Sequence, residues 1–554
     1  MTRVAAKKKK SGGAETLTIS LRLLRNDRTI DDAVRTTAKL KEQSASDGRL
    51  FYSQSNDNTP SWLGLVNQFA RTPLKLANKS CAAVLFINVI DEDGKTRTFA
   101  LAFGSGHLAL HADAFERNFG LKVALNSIAR ANLKNLDMAT LEATSFQKRV
   151  QASRTSDLGG FGLDTEHDLL RLVGGVPTDT TFASSVSGKD ALTLTAKLSP
   201  SKIATKCADA LKLFVATDYK NDYGFIDQIS PVRKTDLIQL LDSLVFAEIQ
   251  NLLMSKSSDL HLTIPNIIDP EETHEIGYFG TGFKSGGKQS YADLTIEDYI
   301  AEIRTGRPTE LIDIGSIKAG QEIRIIKNGQ GDKKKRQRLY DCFVYEANHD
   351  KNTYVLFAGE WYLIEDQFFK SVEADFIKLV SSTPFITKTK CVTERELIEN
   401  LDKNPDLLNL DQVKASPAGA AGANLEPCDF FSRKKEFIHL KDGHGSAPIS
   451  HLWNQGVVAA ESFVRDEKFR KAVRDNAIKR QKSAKKAGFE SLLPDGRSKP
   501  TPSDYKVIYG IMRHPYKASN KLGLPFFSKV SLRAAANRLA LMGYAVEVHL
   551  IEKQ

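Results

Sequence analysis

Cysteine is scarce in this chain: five residues in 554, Cys81, Cys207, Cys342, Cys391 and Cys428, far apart and never in a CxxC spacing. An odd, scattered set excludes a disulfide framework and a zinc ribbon and predicts reduced thiols. Long apolar runs are missing too, none approaching the roughly 18 residues that span a bilayer. The basic start MTRVAAKKKKSGG has no apolar stretch behind it. A secretory signal is therefore not expected, and the cytoplasm is the expected location. No internal repeat of 20 to 50 residues is visible, which argues against a solenoid or propeller. What remains, 41% hydrophobic and 26% charged residues, is ordinary globular composition, long enough for about three to five domains.

Acid is in deficit, with 67 Asp and Glu against 78 Lys and Arg, a net charge of +11. From Asp429 to Gln554 there are 24 Lys or Arg and 12 Asp or Glu, so this segment carries all of the excess. A basic C-terminal region suits a polyanionic partner such as nucleic acid. Its densest run, Arg465 to Lys486, places Lys468, Arg470, Lys471 and Arg474 at spacings that bring several onto one side of a helix, a candidate phosphate-tracking face. The alternative is a solvated helix surface. A second basic cluster, Lys333 to Arg336 and Arg338, follows Asn328-Gly329-Gln330-Gly331-Asp332 and reads as a hairpin tip, with a solubilising role or nucleic-acid contact both open.

The patterning predicts an α/β class, mixed α+β and multi-domain. The expected divisions are a basic tail (1–15), an N-terminal α+β domain (16–156), a central α+β region (157–384) and a basic C-terminal α/β domain (385–554). In the first, Leu17 to Leu24 alternates as a strand and Thr29 to Lys41 reads as a helix. Cys81 to Ile90 and Thr96 to Phe103 form a hairpin across Asp91-Glu92-Asp93-Gly94. The polar segment Gln147 to Ser156 reads as a linker. In the central region Lys234 to Ser255 has helical periodicity, and Tyr354 to Ile364 a hairpin turning at Gly359. Trp361 and Tyr362, just beyond that turn, are candidates for stacking on bases or for the core. The last region runs helix (Glu394 to Leu401, opened by a capping box of Thr393 and Glu396), strand (Leu407 to Asp411), Ala/Gly/Pro-rich loop, strand (Leu425 to Phe431), strand (Glu436 to Lys441), helix (Ile449 to Gln481), strand (Tyr505 to Met512), helix (Ser528 to Met542, capped by Ser528) and strand (Ala545 to Ile551).

Chemistry is predicted at the second and third of those strands. Asp429 and His439-Leu440-Lys441 stand where the PD-(D/E)xK nuclease core, which this element order resembles, carries an acid and an acid-x-Lys; the resemblance implies binding of Mg²⁺ or Mn²⁺ and orientation of water, and alternation puts His439 and Lys441 on one face. Glu396 or Glu399 on the preceding helix could add a carboxylate. His444 lies between glycines, Ser450 reads as an N-cap, and His451 and Gln455 share a helical face. Together they make a candidate phosphate pocket at a helix N-terminus, the alternative being that Leu452 and Trp453 anchor the helix and the polar residues cap it.

This α-β-β-β-α-β order with Asp429 and Lys441 resembles the PD-(D/E)xK nuclease core of restriction endonucleases. It departs from that pattern at His439, where a second acid is expected. An imidazole would favour Mn²⁺ over Mg²⁺, unless Glu426 or Glu436 substitutes or the site is inactive. Over nearly its whole length the chain also resembles a sporadically distributed bacterial family, a domain of unknown function met in defence-type genomic islands. The blocks that carry this are Phe119 to Asn126 (FGLKVALN), Gly359 to Tyr362 (GEWY), Glu426 to Phe431 (EPCDFF), Phe437 to Lys441 (FIHLK), Ser450 to Gly456 (SHLWNQG) and Leu524 to Lys529 (LPFFSK). The resemblance implies defence against phage or plasmids, either by metal-dependent cleavage of bound DNA or by a non-catalytic DNA-binding sensor or inhibitor. It leaves room for a homo-oligomer or a phage-encoded trigger, and no membrane is implied.

Overall fold

The computed structural model describes residues 15–45, 48–54, 59–60, 63–140, 147–163, 168–256, 258–265, 274–284, 290–327, 334–417, 425–443, 446–515 and 521–554. The fold is mixed α and β, with four sheets.

The N-terminal sheet has ten antiparallel strands: β1 (Glu15–Leu23), β2 (Lys41–Ala45), β3 (Gly48–Gln54), β4 (Cys81–Ile90), β5 (Thr96–Gly104), β6 (Ile128–Thr140), β7 (Gln147–Ser156), β8 (Asp168–Pro177), β9 (Ser185–Gly188) and β10 (Leu192–Leu198). Their spatial order is 2-3-4-5-1-10-9-8-6-7. Alternation along the strands serves two cores. Leu85, Ile87, Phe99 and Leu101 face helices α1 (Phe119–Ser127) and α2 (Pro200–Val215). Val84, Phe86 and Ala100 face the loops that carry Leu110 and Phe115 on the other side. The expected linker at Gln147 to Ser156 is β7, an edge strand. Its polar composition is what an unpaired sheet edge requires, and the sheet continues past it to Leu198. The expected helix from Thr29 to Lys41 reduces to the single turn Ile30–Ala33, a 3₁₀ turn at Thr36–Ala38 and the start of β2. That stretch buries only Ala33, too little apolar surface to hold a longer helix.

The central region contributes a five-stranded sheet, β11 (Ile229–Pro231), β12 (His261–Leu262), β16 (Phe343–His349), β17 (Asn352–Phe357) and β18 (Glu360–Ile364). It also has a three-stranded one, β13 (His274–Gly280), β14 (Gln321–Lys327) and β15 (Lys334–Arg338). Helix α3 (Thr235–Leu253) covers them, as the heptad-like leucines predict. The basic run from Lys334 to Arg338 is strand β15; the expected tip, with Lys333, lies outside the described residues.

In the C-terminal region, β19 (Lys388–Thr389), β24 (Ala545–Lys553), β23 (Lys506–Arg513) and β22 (Glu436–Asp442) run parallel. Strands β21 (Phe430–Ser432) and β20 (Leu407–Asn409) extend the sheet antiparallel beyond β22. Following α4 (Ile296–Thr305), α5 (Ile314–Gly320) and α6 (Asp366–Leu379) of the preceding region, helix α7 (Glu394–Leu401) packs on one face of this sheet. Helices α8 (Ser446–Arg465), α9 (Glu467–Ser483) and α10 (Phe526–Leu541) pack on the other. The single long helix expected from Ile449 to Gln481 is broken in two because Asp466 turns its side chain to the Phe469 N–H and caps a new start.

The regions share one apolar cluster. Ala139 of β6, Val344, Val355, Phe357 and Ile364 of the central sheet, Phe368 and Val372 of α6, and Phe526, Phe527 and Val530 of α10 are all buried together. Ser528, expected to cap α10, is fully buried inside its first turn. The cap comes from another region: the Phe526 N–H reaches both carboxylate oxygens of Glu346 at 2.8 Å.

Two glycines permit a close approach of helix α1 to the N-terminal sheet. A Cβ on Gly188 would lie 1.8 Å from the Gly120 carbonyl oxygen, and one on Gly120 would lie 2.1 Å from that of Ala191. Helix α1 thus rests backbone to backbone on the β9–β10 turn. Gly188→Ala should lower the free energy of unfolding by about 1–3 kcal/mol. Denaturant melts of the two proteins check this, and unchanged midpoints would contradict the contact.

Candidate functional site at the carboxyl end of the C-terminal sheet

The site begins where strand β21 starts. Just before it, the Asp429 backbone pairs with Ile438 (N to O, 3.0 Å) and accepts from the Leu410 N–H (2.8 Å). Its carboxylate then takes the Leu440 N–H at 2.5 Å. Asp429 is thereby locked beside the end of β22, one residue from Lys441. The Lys441 ammonium extends to Glu394, the first residue of α7, at 3.0 and 3.3 Å from its two oxygens. The same carboxylate accepts the Asp442 N–H at 3.2 Å. Asp442 in turn pairs with Lys553 of β24 at 2.9 Å.

Asp411 and Glu426, on either side of the Ala/Gly/Pro-rich loop, complete the neighbourhood. Burial pushes the Asp429 carboxyl up to about 7, with the charges of Asp411, Glu394 and Glu426 adding to it against the Leu440 hydrogen bond. Asp411 and Glu426 are raised as well, first by burial and then by each other or Glu394, with Lys441 opposing. Four carboxylates with one central lysine hold an excess of negative charge. Cations stand at the rim: the Arg480 guanidinium of α9 donates to the Asp411 carbonyl at 2.8 Å, and exposed Lys414 neighbours Glu426. Among the described residues no three His, Cys, Asp or Glu side chains stand close enough to enclose an ion.

Of the residues singled out from the sequence, Asp429 and Lys441 come together here, and Glu426 joins them. His439 does not. It is 4% exposed on the α8 face of β22, its ring 5.8 Å from that of Tyr509, in a small apolar space shared with Phe437, Gly456 and Phe463. Burial lowers its pKa to about 4, so it is a neutral core side chain. The carboxylate from the preceding helix is Glu394 and neither Glu396 nor Glu399. Glu396 is spent on the capping box and the Val392 N–H, and Glu399 pairs with Arg395 on the exposed side. Glu436 accepts from the Ser432 hydroxyl at the opposite end of the strand.

The predicted phosphate pocket is thinned. His444 lies outside the described residues, as does the Ser450 side chain. His451 is exposed and Gln455 half-buried on α8, while Leu452 and Trp453 are core, the Trp453 indole donating to the Ser528 carbonyl at 3.0 Å. Along α9, Lys468 and Lys471 are exposed, and Arg474 is half-buried near Glu490 and Asp495. Arg470 is no surface contact: 3% exposed, it donates to the carbonyls of Phe463, Val464 and Gly496. It thus satisfies the open end of α8. Trp361 is likewise core, donating to Asp242. Glu394 was recoverable from sequence, since the capping box fixes it as the first helical residue. Asp411, at the edge of a loop, carried no such signal.

A raised carboxyl makes folding pH-dependent. Asp429 destabilises the fold when ionised, so its contribution is full below about pH 4 and is lost as pH rises through about 7, by up to roughly 3–4 kcal/mol. Asp429→Asn, which keeps an oxygen for the Leu440 N–H, should flatten the fall in stability between pH 5 and pH 8. Parallel curves for the two proteins would show that Asp429 is not the group responsible.

A family model described as a family of unknown function (DUF6119) matches residues 19–552. No curated protein and no solved structure matches the chain.

Proposed function

The chain belongs to that family of unknown function, and from this premise we propose that it is a defence protein acting on phage or plasmid DNA, which it binds and cleaves by metal-dependent phosphodiester hydrolysis at the Asp429–Lys441 site. The observation that carries the reading is the unbalanced group of half-buried carboxylates around one lysine at the end of a parallel strand. Such an excess of charge is costly alone and is offset by a divalent cation. An oxygen-only donor set suits a hard ion such as Mg²⁺, or Mn²⁺. With His439 in the core, the sequence argument for preferring Mn²⁺ lapses.

Asp429 and Glu394 would hold the ion, with Asp411 and Glu426 drawn toward it. When bound, the ion supplies positive charge to the phosphate and acidifies a water. The remaining work belongs to the chain. Lys441, held by Glu394, is placed to orient the attacking water and to balance charge building on the phosphate. Arg480 and Lys414 would supply a cationic rim along which a backbone would lie. The α-β-β-β-α-β order that carries Asp429 and Lys441 supports kinship with the nuclease core named above. The defence setting rests on the family resemblance.

Purified protein incubated with supercoiled plasmid and phage DNA in Mg²⁺ or Mn²⁺ tests this, beside Asp429→Asn, Glu394→Gln and Lys441→Ala. Expected are metal-dependent nicking in the parent and a loss of roughly 100-fold or more in each variant, with DNA affinity kept. Mg²⁺ at pH 8 should also raise the melting temperature of the parent and not of Asp429→Asn. A salt-sensitive band shift without cutting, and without that stabilisation, would overturn the nuclease reading and leave a DNA-binding sensor or inhibitor.

A further inference from the structure

Away from the carboxylate site, a cavity of about 540 Å³ opens between the N-terminal sheet and the central region. Its walls are unusually cationic. Arg25, Arg28 and Arg117 line it from one side, Arg233, Lys318 and Arg338 from the other, and the acids among its lining are only Asp113 and Glu360. Most of these cations are already engaged. Arg25 forks onto Asp27 at 2.7 and 3.0 Å. Arg117 bridges Asp190 at 2.8 Å and Glu360. Lys318 pairs with Asp242, and Arg338 with Asp341 at 2.8 Å. Arg28 and Arg233 form no ion pair within 4 Å among the described residues.

Arg233 is the telling one. Burial lowers its pKa, Arg25 and Arg117 add to that, and Glu116 and Glu360 oppose it. Holding guanidiniums together without enough carboxylate costs free energy that a bound anion returns. The cavity is also rigid. Tyr340 and Trp361 at its floor, each 2% exposed, both donate to buried Asp242, at 2.5 and 3.0 Å. Val232 and Ile238 give it an apolar side. A small-molecule volume with an apolar wall and forked cations is suited to a phosphorylated ligand bearing an apolar ring, because guanidinium matches phosphate two bonds at a time.

We propose that this cleft is a binding site for a nucleotide carrying two or more phosphates, separate from the carboxylate site and independent of its chemistry. The phosphates lie against Arg28 and Arg233, and the base lies on the Val232 and Ile238 side.

Calorimetric titration of the full chain with ATP, tripolyphosphate and a 5′-phosphorylated oligonucleotide tests it, with Trp361 fluorescence read on the same samples. ATP and tripolyphosphate should bind saturably and more weakly as salt rises. Arg233→Glu and, separately, Arg28→Glu should each weaken binding by roughly tenfold or more. Glu360→Gln, which removes a carboxylate from the wall and frees Arg117, should strengthen it, a gain that misfolding cannot mimic. Lys202→Glu, exposed on α2, should leave it unchanged. Absence of binding by both ATP and tripolyphosphate overturns the proposal. So does binding indifferent to Arg233→Glu, or an oligonucleotide that binds equally well without its 5′ phosphate while ATP does not. These readouts do not involve DNA cleavage, so they stand or fall apart from the nuclease reading.

Discussion

A half-buried carboxylate helps tie the C-terminal region to the rest of the molecule. Glu346, on a central strand, accepts the Phe526 N–H with both oxygens at the point where α10 presents its unpaired amides and positive end. Desolvation outweighs these hydrogen bonds and lifts the Glu346 carboxyl to about 7. The pairing is therefore one of position more than of net strength. It sets where α10 begins, and so seats Phe526 and Phe527 against Phe357, Ile364 and Phe368. The ion pair of Lys529 with Glu373 closes the next turn of the same contact. From there the order propagates inward: the Ser528 carbonyl takes the Trp453 indole, the Trp453 carbonyl takes the Tyr509 hydroxyl, and α8 is fixed over β23.

Much of this architecture was legible. The C-terminal element order follows the sequence closely because each element declares itself locally, as the capping box at Thr393 and Glu396 does for α7. What could not be read was anything decided by a distant partner. Ser528 has the right chemistry for a cap and the right spacing, but a carboxylate 182 residues earlier takes that place. Arg470 belongs to a basic run by composition, yet two carbonyls at the end of α8 and that of Gly496 draw it inside. The polar strand β7 alternates only weakly, turning just Val150 and Ala152 toward the core.

The candidate site shows the same division. That Asp429 and Lys441 lie close was legible because the residues of a hairpin are neighbours in sequence as well as in space. Glu394 was passed over for Glu396 and Glu399, although the capping box that identified the helix also commits Glu396 to its own backbone. His439 was misplaced because alternation sets a side chain's face but not what covers it, and α8 covers that face with Gly456, Ala460 and Phe463. Several of the blocks on which the family resemblance rests fall at junctions: Glu360 and Trp361 beside the cationic cleft, Gly120 under the β9–β10 turn, Phe526 to Lys529 across three regions.

The shared apolar cluster bears on how the chain reaches this state. During synthesis Val355, Phe357 and Ile364 emerge about 160 residues ahead of the phenylalanines that cover them. Until α10 arrives, the central sheet offers an oily face beside a buried-type carboxylate with no amide to receive. Such a surface is a natural target for holding chaperones, and a chain stopped short of Phe526 would keep it. The helix that appears latest among the packed ones thus acts as a seal on elements laid down long before it.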